Sequence, residues 1–120
     1  MDDDGAGGPA GKLTARVAER LAQAGAGSPV EVVVELRPVE VPVTGSRAER
    51  TRAVRAAFER ELAGVAERIA AAGGVVLETA WVDQTVRGSV PAAGLLAVAE
   101  DDAVTAIDLP RPLQPDAGAS

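Results

Sequence analysis

One helical period dominates the sequence. Val54, Phe58, Leu62, Val65, Ile69 and Ala72 recur at spacings of 4, 4, 3, 4 and 3, which is one face of an amphipathic helix. Ser46 with Glu49 three residues later forms a capping-box signature at its start. Gly73-Gly74 supplies a stop made of residues that accept positive φ. The spacing predicts a helix of about 26 residues, or about 39 Å at about 1.5 Å per residue. Arg47, Arg50, Arg52, Arg55, Glu59 and Arg60 fall on its wet side, as a solvated charged face does. In a chain of 120 residues whose core must be built of Ala, Val and Leu, such side chains suit helices packed closely on a sheet.

The strands are found on both sides of it. Val30 to Arg37 alternates, with Val30, Val32, Val34 and Leu36 on one face and Glu31, Val33, Glu35 and Arg37 on the other. Pro38, Pro42 and Gly45 break regular continuation. Val75 to Val82 is a second strand, Asp83-Gln84 a turn, and Thr85 to Val90 a third strand. Pro91 opens a shorter helix, Ala92 to about Glu100, and Val104 to Leu109 is a fourth strand. Before all of these, Leu13, Val17 and Leu21 mark a short helix within a 12–29 helix-and-linker segment. Residues 1–11 are acidic and Gly-rich and are expected to be disordered. Residues 110–120 carry three prolines and are expected to form an extended tail.

The order strand–helix–strand–strand–helix–strand over 30–109 is the split βαβ arrangement. The predicted fold is therefore α+β and ferredoxin-like: a four-stranded antiparallel sheet with two helices on one face, plus the short N-terminal helix. The other face is open to water or to a partner. Val75 to Val82 is apolar on both of its faces and Val33 adds to the open side, which reads as a docking surface. Coverage of that face by the N-terminal helix is the competing reading.

Composition narrows the chemistry. The chain has no Cys, no His, no Tyr and a single Lys. That removes thiolate chemistry, the usual general base and the commonest metal ligands, so no catalytic, cofactor-binding or metal residue is assigned. A net charge of −6 disfavours nucleic acid, and strand three, Thr85 to Val90, lacks the aromatics of an RNA-binding sheet. Gly5 to Thr14 imitates a phosphate loop, but Leu13 follows Gly11-Lys12 and Ala6 stands at the required first glycine. Asp2-Asp3-Asp4 and Asp101-Asp102 lack the alternating ligands of a calcium loop. No window has the roughly 20 apolar residues of a membrane span. The N-terminus lacks the cationic start and apolar stretch of a signal peptide, so the chain as written reads as cytoplasmic, with a secreted target compatible.

An ordered series of segments carries a family likeness. Gly73-Gly74-Val75-Val76, Trp81-Val82-Asp83-Gln84-Thr85-Val86, Ser89-Val90-Pro91 to Leu95, and Asp101-Asp102-Ala103-Val104-Thr105-Ala106-Ile107-Asp108 resemble the second half of the propeptide inhibitor domain of subtilisin-type serine proteases. Val30 to Leu36 is similar to that family's first strand, and Lys12 to Leu21 to the helix preceding many bacterial examples. The likeness spans about residues 30–109. It implies a non-enzymatic protein that docks its open sheet face on two surface helices of a protease. Asp108 matches the acid that caps a protease helix N-terminus, and Leu113, Gln114, Pro115 and Asp116 match the tail that lies in the substrate cleft. Val33, Glu35 and Trp81 are assigned to the docking surface. The long helix exceeds the family's usual length by a turn or more, and Pro110 replaces a second capping acid. Read as a free-standing unit, the chain would act in trans on a subtilisin-like serine protease, as inhibitor or folding chaperone. The alternative is an interaction or regulatory domain that homodimerises through the sheet face.

Overall fold

The computed structural model describes residues 8–39 and 45–110. Four strands, β1 (Pro29–Leu36), β2 (Val75–Ala80), β3 (Thr85–Pro91) and β4 (Val104–Asp108), form one sheet in the order β2-β3-β1-β4. All neighbouring pairs are antiparallel. With α1 (Ala15–Gln23) ahead of β1, α2 (Arg47–Ala71) between β1 and β2, and α3 (Leu95–Ala99) between β3 and β4, the domain is α+β and ferredoxin-like. None of the described helices is long and apolar enough to cross a membrane.

Local chemistry sets both ends of α2. Ser46 Oγ accepts from the Glu49 backbone N–H at 3.1 Å, and Glu49 Oε1 accepts from the Ser46 N–H at 2.8 Å, the reciprocal capping box. At the other end, the Gly73 and Gly74 N–H groups donate to the carbonyls of Ala70 and Ile69 at 2.9 and 2.8 Å, a Schellman pair. Gly73 has φ +92°, and a Cβ on Gly74 would collide with the Ser89 carbonyl oxygen. Positive φ and close backbone approach both require glycine there.

The core is small and aliphatic. Val30, Val32, Val34 and Leu36 of β1 meet Phe58, Val65 and Ile69 of α2 and Leu95 and Val98 of α3, all buried. Val86 and Val90 of β3 and Val104 and Ile107 of β4 complete it. No polar or charged residue is buried among the described residues, so this interior carries no desolvated charge to compensate.

Several boundaries differ from the sequence reading. The segment expected to be disordered through residue 11 includes a 3₁₀ turn, Pro9–Lys12, and α1 begins only at Ala15 because Thr14 caps it. Pro91 closes β3 instead of opening a helix, and a 3₁₀ turn, Ala92–Gly94, precedes a five-residue α3. β2 stops at Ala80, two residues early, because Trp81 to Gln84 form the turn, with Gln84 at φ 57°. The expected tail from residue 111 onward lies outside the described residues.

Candidate protein-docking surface

β1 is the central reference for the open face. Its alternation holds: the even-numbered apolar residues face the helices and are buried, while Glu31 and Glu35 are exposed and Val33 is half-buried. The register sets Glu31 beside Ser89, Val33 between Arg87 and Asp108, and Glu35 between Thr85 and Ala106. Arg87 faces Glu78 across β2 and β3. Its guanidinium donates from Nη2 to Glu78 Oε1 at 3.0 Å and from Nη1 to Glu31 Oε2. The hydrogen bonds it donates to Glu31 and Glu78 raise the Arg87 pKa above its ordinary value, and the group is charged at any working pH. A shallow depression of about 180 Å³ lies alongside, lined by Val33, Glu78, Thr79, Ala80, Thr85 and Arg87.

The open face is therefore not the apolar patch expected from the composition of β2. Its centre is an acid–Arg–acid ladder with Val33 beside it. Glu31, Glu35 and Glu78 against Arg87 leave a negative surface. Glu35 has no side-chain partner among the described residues; Thr105 Oγ1 donates to its backbone carbonyl at 3.1 Å. The N-terminal helix does not cover the sheet face. It follows the β4 edge, where Leu13 bridges Ile107 in parallel and the Thr14 N–H donates to the Ile107 carbonyl at 3.1 Å. Val17 enters the core there.

Two of the predicted contact residues have work inside the chain. Asp108 Oδ1 accepts from Thr14 Oγ1 at 2.7 Å and from the Leu109 N–H at 2.8 Å, with Arg16 Nη1 at 3.7 Å. Thr14 in turn accepts from the Val17 N–H at 3.4 Å as N-cap of α1. An anion near a helix N-terminus is favourable, and Asp108 occupies that position toward the chain's own helix. Trp81 packs against the helix-side core, with the Arg55 guanidinium of α2 5.4 Å from its ring centroid. It does not share the open face with Val33 and Glu35. Leu113, Gln114, Pro115 and Asp116 lie outside the described residues.

Sequence reasoning passed over Lys12 and Arg87. Lys12 Nζ donates to the Ala99 and Asp101 carbonyls at 2.7 and 3.0 Å, binding the final turn of α3 where a cation is favoured. The chain's single lysine was the available signal. Arg87 needed the strand register, which decides that Glu78 stands opposite it. A second cavity of about 400 Å³, beside Arg37, Val39, Arg60 and Glu61, gathers none of the predicted residues. Among the described residues, no group of three or more His, Cys, Asp or Glu could hold a metal ion.

No protein-family model matches the chain, and no curated protein or solved structure is found similar to it.

Proposed function

We propose that the chain is a non-enzymatic inhibitor or folding chaperone acting in trans on a subtilisin-like serine protease. The observation that carries this reading is the sheet face opposite α2 and α3. It is free of any described helix, negative, and bounded by β4, the strand whose continuation is the tail. Surface helices present partly positive N-termini, which an acidic sheet face attracts. A tail leaving from a terminal strand can extend into a substrate cleft as an added strand. The composition supports a role by binding, since the chain offers neither Cys nor His for covalent or proton-transfer chemistry. Asp108 is engaged by Thr14 and Leu109, so Glu35 is the better carboxylate for a partner's helix. It is exposed and without a side-chain partner among the described residues.

The test uses the full chain with a purified subtilisin-type protease. Peptide hydrolysis, direct binding and recovery of activity from denatured protease are each measured. Inhibition or assisted refolding is the expected result, weakened by Glu35→Gln and with Asp108→Asn changing fold stability more than binding. A chain that binds no such protease and changes neither its turnover nor its refolding would sink the reading.

A further inference from the structure

A run of exposed apolar side chains lies along one edge of the sheet. Val75, Val76 and Leu77 are consecutive on β2 and 56%, 38% and 47% exposed, and Val82 just beyond is 73% exposed. β2 is a terminal strand, hydrogen-bonded to β3 on one side only, so alternate backbone N–H and C=O groups point outward unpaired within the sheet. Edges are commonly blunted by Lys, Pro, a bulge that twists the strand away or a covering segment. β2 reads Val-Val-Leu-Glu-Thr-Ala and has no Lys, Arg or Pro, while its one charge, Glu78, is held by Arg87. Its single irregularity is a bulge between Val76 and Glu78. At the opposite edge, Leu13 and Thr14 lie along β4. A sheet with one edge occupied and one open can be extended at one side, which makes a closed pair and not a filament.

We propose that β2 is a homodimer interface, where two copies pair antiparallel edge to edge and join their sheets. The bulge identifies the occupant as a second copy. In an unbroken strand, residues three apart lie on opposite faces. The extra residue, Leu77, changes the parity. Val76 and Thr79 stand opposite Gly88 and Val86, both buried beneath the helices, while Val75 and Ala80 stand opposite Ser89 and Thr85 on the open face. A two-fold axis between Leu77 and Glu78 then sets Val76 against Thr79 of the second copy and Val75 against Ala80, like faces together. A regular strand laid on the same edge would lose this match across the bulge. Six residues of edge pairing sit at the small end of specific interfaces, below about 1,200 Å² in total, so the dimer is weak and reversible. The open face and Glu35 stay uncovered, so this inference stands independently of the protease reading.

Sedimentation equilibrium of the full chain across micromolar to millimolar concentration is the test. A monomer–dimer equilibrium with no larger species is expected. Leu77→Glu, which sets a carboxylate opposite Glu78 of the second copy on both sides of the two-fold axis, should weaken it at least about tenfold while the far-ultraviolet circular dichroism is kept. Thr105→Lys on β4 should leave it unchanged. Because the chain has no cysteine, a mixture of Val76→Cys and Thr79→Cys copies reports the register directly. Oxidation should join 76 to 79 faster than 76 to 76, and this measurement decides the matter even should Leu77→Glu fail to fold. A monomer at every concentration, a dimer indifferent to Leu77→Glu, or preferred 76-to-76 crosslinking overturns the proposal.

Discussion

The two edges of the sheet are finished in different ways. At β4, Leu13 bridges Ile107, Thr14 binds both the Ile107 carbonyl and the Asp108 carboxylate, and Lys12 holds the end of α3. At β2, Val75, Val76 and Leu77 remain exposed along a strand with one neighbour. The core reaches the two edges unequally: β4 places Val104 and Ile107 in it, whereas no residue of β2 is buried. Short polar contacts differ as well: one segment of about six residues, 9–14, supplies several to β4, and no described residue supplies any to the outer side of β2. An edge is closed by specific donors and acceptors placed on it, and it stays available for pairing where they are lacking.

That comparison can be broken or sharpened by substitution. The largest effect should fall on the core between the sheet and α2. Phe58 is 2% exposed, and Phe58→Ala should cost about 3–5 kcal/mol in urea unfolding; a loss under about 1 kcal/mol would mean that α2 does not anchor the sheet through this face. Next comes the staple at β4. Asp108→Ala deprives Thr14 of its charged acceptor and should cost about 1.5–3 kcal/mol. Amide exchange should quicken across α1 before it does in β2, and uniform quickening would show that the β4 edge is not separately closed. Lys12→Met keeps most of the stem and removes the cation from the α3 carbonyls. A shift of about 1 kcal/mol is expected, seen as faster exchange at the end of α3. The smallest effect belongs to β2. Leu77→Glu should change monomer stability by no more than about 0.5 kcal/mol, measured at concentrations too low for self-association. A loss comparable to that of Asp108→Ala would show that Leu77 is held by the fold and that the β2 edge is not free.

Much of the frame is legible from local pattern. The α2 boundaries follow from Ser46, Glu49 and Gly73-Gly74, and the inner face of β1 from its alternation. Phe58 points inward as its helical spacing requires. The sites are less legible, each for a particular reason. Trp81 reads as part of a strand, yet the turn at Trp81 to Gln84 begins with it and Arg55 draws the ring to the helix side. Asp108 carries the expected liking for a helix N-terminus, but only the fold brings Thr14 to within 2.7 Å of it. Val75 to Leu77 look like a docking face, and the bulge after Val76 disperses them along an edge.

What the sequence alone determined is chemistry with a short reach. Periodicity, capping residues, glycine stops and the absence of Cys and His act within a few residues or within the composition as a whole. They specify the elements, their order, and the lack of a thiol or imidazole site. Tertiary structure decided which side chains answer one another across 55 residues or more: Arg87 with Glu31, Lys12 with Ala99, Thr14 with Asp108. It also decided which sheet edge is covered. Those outcomes depend on strand order and on a one-residue change of register, and neither is encoded in any local window.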